Sequence, residues 1–259
     1  MRRLGPLVAV LCAACGHGTT GSGLVEFTAY GAGPAGVSAG YERVNALGYR
    51  VQLDEARLYV GGLYVNQNVP LAGAQEQPCV LPGLYVAEVT SGLLLDLLDD
   101  RRQEFPAAGV GLEERGRTGE VWLKSDGLAV DAAEDPQVVA LASGTARRDE
   151  DAWPFRVSVT IGSNRRLPDP DPQKPGANPI CAERIVSRIP VDITPRDGGT
   201  LVLRVDPQAW FEQVDFADLA EDLRASDGTY VIPDAPEGRA AIAVFNGIKS
   251  VVGYEIQTR

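Results

Sequence analysis

Six residues near the start of the chain, Gly31-Ala32-Gly33-Pro34-Ala35-Gly36, have the spacing of a loop that cradles a phosphate. Glycines at the first, third and sixth places let a backbone approach a pyrophosphate, and an acid about 20 positions on can take a ribose hydroxyl. Gly48, Val51, Leu53 and Glu55 follow near that spacing, and Gly61-Gly62 adds a glycine pair. Overlapping them, Gly36-Val37-Ser38-Ala39-Gly40 has the form G-x-S-x-G, which on a strand-to-helix turn would present Ser38 as a nucleophile. That chemistry needs a histidine base, and the only histidine is His17, inside a glycine-rich tract near the N-terminus. The same count removes histidine-built zinc and copper sites and histidine-driven proton transfer. Asp99-Asp100, Glu113-Glu114 and Glu134-Asp135 are candidates for the paired acids of glycoside hydrolysis, or else solvated loops. Asp169 and Asp171 could hold calcium in a loop, though no EF-hand pattern surrounds them. Trp122, Trp153 and Trp210 could stack on sugar rings if they share an exposed face, or pack in the core, as the apolar cluster Trp210, Phe211, Val214 and Phe216 suggests.

The glycine stretch is similar to the FAD-binding start of flavin oxidoreductases. That resemblance implies a cofactor held by Gly31, Gly33, Gly36 and Glu55. Three features oppose it. A first strand of that fold is buried on both faces and continuously apolar, whereas Glu26, Thr28 and Tyr30 alternate with Val25, Phe27 and Ala29. The rest of the chain lacks repeated strand–helix–strand units. No second nucleotide-type segment follows. The competing expectation is a glycine-rich loop between antiparallel strands, with no cofactor and no metal bound.

The N-terminus carries a different kind of chemistry. Arg2 and Arg3 precede an apolar run from Leu7 to Leu11, then Cys12-Ala13-Ala14-Cys15. A basic start, a short apolar stretch and small residues before a cysteine form an export signal. The pattern resembles the lipobox of bacterial lipoproteins, which implies cleavage after Ala14 and a lipid on Cys15. Cys12 stands where such patterns usually have Leu, which leaves plain secretion as the alternative. A spanning helix needs about 20 apolar residues, and here Gly5, Pro6 and the tract from Gly16 to Gly23 interrupt. By resemblance to lipoprotein sorting, Gly16 after the cysteine favours the outer membrane. Residues 1–14 are thus expected as signal, 15–23 as a flexible tether and 24–259 as one domain. With Cys12 removed and Cys15 lipidated, Cys79 and Cys181 remain as an even pair in an oxidising compartment, and a disulfide between them is expected. Closing a loop of about 100 residues would contribute roughly 4–5 kcal/mol.

The elements that must position these residues read as strands. Val25 to Tyr30 alternates, Arg50 to Val65 is strand-like on both sides of Gly61-Gly62, and Leu84 to Val89 and Glu120 to Lys124 follow suit. Val138 to Ala146 and Phe155 to Ile161 flank a charged turn and predict a hairpin. Asp197-Gly198-Gly199 predicts a second hairpin between Ile185–Ile193 and Thr200–Val205. Arg165 to Pro179 is a proline-rich loop, and Val251 to Ile256 closes the chain as a strand. Short helices are expected at Leu93 to Asp100, capped by Ser91, and at Asp215 to Arg224. The fold class is all-β, an antiparallel β-sandwich with one or two short helices. A net charge of −11 and the lack of a basic stripe argue against nucleic acid as a partner.

Phe27-Thr28-Ala29-Tyr30-Gly31, Val51 to Val65, Ser143-Gly144-Thr145-Ala146 with Pro154-Phe155, and Leu201 to Phe216 resemble segments of uncharacterised bacterial cell-envelope lipoproteins of myxobacterial type. A looser similarity links the strand and Trp-Phe segments to methanobactin-associated periplasmic copper-binding proteins, with no histidines to carry over a metal site. The resemblance implies an envelope location and a β architecture. The expectation is therefore a membrane-tethered binding or structural module, with an envelope protein or a glycan as partner, and a dinucleotide-dependent oxidoreductase as the alternative.

Overall fold

Alternation fixes the first strand. β1 (Leu24–Ala32) buries Val25, Phe27 and Ala29 and turns Leu24 and Glu26 outward, as a strand with one face on a core must. A computed structural model describes residues 23–38, 40–68, 84–132, 134–162 and 180–259. Within them lie two sheets on one continuous apolar core.

The larger sheet holds β1, β4 (Gly62–Asn66), β5 (Tyr85–Val89), β7 (Gln103–Glu104), β8 (Gly109–Leu112), β9 (Gly116–Trp122), β12 (Ile185–Ile193), β13 (Thr200–Val205) and β15 (Tyr254–Thr258). Its order is β12-β9-β4-β5-β8-β1-β13-β15, with β7 also on β1. The outermost strands β12 and β15 pack against each other, so this sheet curls almost into a barrel. The smaller sheet holds β2 (Tyr41–Val44), β3 (Arg50–Val60), β6 (Leu93–Asp96), β10 (Ala140–Arg148), β11 (Asp151–Val159) and β14 (Tyr230–Ile232). Its order is β14-β11-β10-β3-β2, with β6 on the far half of β3.

The all-β class holds, with two corrections to the expected antiparallel pairing. β1 pairs with β13, and β11 with β14, in parallel. The hairpin expected at Asp197-Gly198-Gly199 does not form. β12 pairs with β9, and β13 with β1 and β15. The turn is held by β1 instead: the Gly198 amide donates to the Glu26 carbonyl at 2.8 Å, and the Glu26 amide donates to the Asp197 carboxylate at 3.1 Å. The hairpin across Asp149 does form, as β10 and β11.

Two expected helices are replaced. Leu93–Asp96 is strand β6, because Leu95 faces the core while Leu94 and Asp96 face out, a period of two. Asp215–Arg224 forms two short 3-10 turns, the first opened by the Asp215 side chain accepting from the Ala217 amide. Besides α1 (Ile180–Arg184), the chain forms α2 (Arg239–Lys249), which buries Ala240, Ala241, Val244 and Ile248 on one face. Trp210, Phe211, Val214 and Phe216 are all fully buried, the core role their clustering implied.

The chain passes from one sheet to the other at a single residue. Val60 ends β3 in the smaller sheet and Gly62 begins β4 in the larger one. A Cβ on Gly61 would lie 2.1 Å from the Lys124 carbonyl oxygen, so only glycine fits that crossing.

Candidate functional site

The expected dinucleotide constellation is not assembled. Gly31 and Gly33 are buried at the end of β1, where added Cβ atoms would strike the Leu95 side chain and the Leu97 carbonyl at 2.2 Å. Their small size serves the packing of the 95–97 segment. The loop amides are engaged as well. Gly33 donates to the Asp99 carbonyl at 2.9 Å and Gly36 to the Asp100 carboxylate at 3.0 Å. The loop then turns into β2, and its described residues contain no helix whose N-terminus could receive a pyrophosphate. Glu55 sits on β3 in the other sheet, ion-paired to Arg57 at 3.2 Å. Ser38 is exposed in the same turn.

The candidate acids are likewise separate. Asp99 forms a salt bridge with Arg101 at 2.7 Å, which holds its carboxyl below the usual range. Glu113 and Glu134 are exposed, and Glu114 accepts from Gln67. Asp135 is buried and accepts from the Ser125 amide and hydroxyl and the Gln137 amide, the bonds of a structural turn. Among the described residues no three His, Cys, Asp or Glu side chains converge as metal ligands. His17, Cys12, Cys15, Cys79, Asp169, Asp171 and the Arg165–Pro179 loop lie outside the described residues. Cys181 is disulfide-bonded and fully buried.

The side chains that do converge lie on the outer face of β9, β4 and β5. In β4, Leu63 and Val65 face the core, so Tyr64 and Asn66 face away from it. Register places Trp122, Glu120 and Thr118 of β9 opposite Gly62, Tyr64 and Asn66. On the other side, Glu88 of β5 is opposite Tyr64, and an irregularity at Val65/Asn66 brings Tyr85 opposite Asn66. Three rings therefore run in a row across three strands. Trp122 and Tyr64 have centroids 4.4 Å apart, and Tyr64 and Tyr85 5.3 Å apart, both pairs tilted. Gly62 leaves room for this, since a Cβ there would sit 2.8 Å from the Tyr64 ring.

Beneath the row lies Glu120, fully buried. Its carboxylate accepts from Asn66 Nδ2 at 2.6 Å, Tyr85 Oη at 3.3 Å and Trp122 Nε1 at 3.3 Å. Burial pushes the Glu120 carboxyl above the usual range, against the pull of those three donors. The Tyr85 hydroxyl is pushed up by burial and by the adjacent Glu120. Asn66 Oδ1, also buried, has no hydrogen-bond partner. Tyr64, Tyr85, Trp122 and Glu88 are each partly exposed.

The far end of the row is braced. Trp122 packs on a small apolar cluster of Val130, Cys181 and Ile185. Just beyond it, the buried Arg184 guanidinium donates to the carbonyls of Ala132 at 2.8 Å, Val130 at 3.2 Å and Ile161 at 3.2 Å. Five donors in a rigid fork suit such a clasp. It ties the loop after β9 and the end of β11 to the start of β12.

Of the three tryptophans, Trp122 alone joins this face. Trp210 is buried, and Trp153 packs edge-on against Tyr49 at 5.4 Å in the other layer. Sequence reasoning did not find Tyr64, Asn66, Tyr85, Glu88 or Glu120. The available signal was the alternation itself: Tyr64 and Asn66 two apart, and Glu120 and Trp122 two apart, place polar and aromatic groups on the strand face opposite the core. The partly exposed parts of the three rings and the Glu88 carboxylate are what this face offers to solvent. The chain matches no protein-family model, no curated protein and no solved structure.

Proposed function

We propose that the protein is a binding module carried at the cell envelope by a lipid on Cys15, and that the outer face of β9, β4 and β5 holds a glycan. The reading rests on the row of Trp122, Tyr64 and Tyr85, partly exposed over the buried Glu120. Flat aromatic surface held rigid by neighbouring strands suits the apolar faces of sugar rings, and carboxylates suit their hydroxyls. The export signal at the N-terminus and the oxidised state of Cys181 are consistent with one compartment, with Cys79 as the proposed partner of Cys181. No helix among the described residues is long and apolar enough to cross a membrane, and the proposed anchor is the lipid.

Titration of the mature protein with envelope polysaccharide fragments, followed by calorimetry, tests the site. Trp122→Ala is expected to weaken binding about tenfold, equal to about 1.4 kcal/mol. Unchanged affinity in that variant, or no binding to any fragment, refutes the glycan assignment. Intact-mass spectrometry of the protein from a bacterial membrane fraction tests the anchor. A diacylated Cys15 is expected, and an unmodified one refutes it.

A further inference from the structure

The larger sheet curls almost into a barrel, yet β12 and β15 close it by packing and not by strand pairing. At the end where those two strands finish and β13 begins, a cavity of about 380 Å³ opens. Barrel mouths are a common place for small-ligand pockets, whose volumes start at about 300 Å³. The core side chains Phe27, Ile193 and Leu201 contribute to its lining. Backbone ties bring two arginines to its wall. The Gly199 amide donates to the Arg196 carbonyl at 2.9 Å, and Arg259 and Thr200 exchange hydrogen bonds at 3.0 and 3.2 Å. The chain carries a net charge of −11, but this lining holds Arg196 and Arg259 against one acid, Asp192. That acid is already taken. Arg115 grips both of its oxygens at 2.5 Å and holds its carboxyl below the usual range. Neither Arg196 nor Arg259 is ion-paired to an Asp, a Glu or a chain terminus among the described residues.

Guanidinium groups present paired donors that match the oxygens of a carboxylate or a phosphate. Two of them, unpaired at the wall of one cavity, leave a local excess of positive charge on an acidic protein. We propose that this cavity binds a small organic oxyanion, a carboxylate or a phosphate ester, with its charged end held by Arg196 and Arg259 and its apolar body filling the space beside Phe27, Ile193 and Leu201. A bare carboxylate would leave most of that volume empty. The site is independent of the glycan reading, since none of its lining residues belongs to the aromatic face of β9, β4 and β5. A protein of this net charge repels anions at long range, so an anion that binds is held by local contacts.

The test titrates the full mature protein by calorimetry with phenylacetate and phenyl phosphate, and with two controls, neutral phenylacetamide and acetate. At least one charged aryl probe is expected to bind about tenfold more tightly than either control, and the tighter of the two names the head group. Arg196→Gln and Arg259→Gln should each weaken that probe about tenfold. Arg147→Gln, at an exposed arginine on β10 of the smaller sheet, should leave it unchanged. Equal binding of phenylacetamide overturns the proposal, because charge then plays no part. Equal binding of acetate overturns it too, because the apolar body then adds nothing. Unchanged affinity in both cavity variants, or an equal loss in Arg147→Gln, places the anion elsewhere and also overturns it. Binding of neither charged probe does the same. Denaturant midpoints of the three variants separate loss of contact from loss of fold, and every outcome leaves the glycan reading to its own titration.

Discussion

Glu120 is an acid kept from water by aromatic rings, and its environment sets how stability responds to pH. Its folded value is raised chiefly by burial, whereas an unfolded glutamate titrates near about 4.3. The native state therefore holds this proton more tightly than the unfolded state does. By linkage, the contribution of Glu120 is most favourable below the unfolded value, falls as pH rises toward the folded value, and stays at its lower level above that. Glu120→Gln removes this slope. In urea unfolding across a pH series, the variant should gain on the parent as pH rises above about 4.3. A constant difference between the two proteins would show that Glu120 does not titrate between the states. The same residue illustrates what sequence reading loses. Glu120 sits in an unremarkable strand, next to a tryptophan that was singled out. Only the pairing of β4 with β9 on one side and β5 on the other reveals that Asn66 and Tyr85 point at it. Residues 54 and 35 positions away share no local pattern with it.

At the level of elements, the strands were mostly legible and their partners were not. Alternation exposed β1, which has one face on the core, and strand-like runs exposed β3, β4, β5 and the last three residues of β9. The failures have separate physical causes. Leu93 to Asp100 is rich in leucine, a good helix former, yet pairing of Leu93–Asp96 with the far half of β3 outweighed that local preference. Helix α2 leaves little trace in the sequence because its buried positions include Ala240 and Ala241, small residues that barely register as an apolar stripe. The turn at Asp197-Gly198-Gly199 was recognised as a turn, but its flanking strands found partners elsewhere, a choice the turn itself does not make. The crossing at Gly61 offers an element-level prediction. Gly61→Ala would press a methyl group onto the Lys124 carbonyl, which is backbone and cannot swing aside. The strain should part β4 from β9 and destabilise the protein by about 1–3 kcal/mol, seen as a lower denaturant midpoint. A loss under about 0.5 kcal/mol, the size of an ordinary surface change, would mean that the crossing relaxes freely.

For the molecule as a whole, the larger sheet leaves few raw edges, since its end strands pack together. The smaller sheet ends in the short strands β2 and β14, and β2 carries Glu42 and Arg43 outward, features that discourage pairing with other chains. The N-terminal strand is better protected than either. β1 follows directly on Gly23 and lies between β8 on one side and β13 on the other, with β7 added along its second half. Hydrogen bonds between antiparallel strands run across the strand direction. A force drawn along the chain from the N-terminus thus loads the β1 bonds sideways and together, in shear, rather than peeling them one at a time. A protein hung by its first residues would resist tearing where the load enters, and the aromatic face, which begins at β5 beyond β8, would keep its shape under tension.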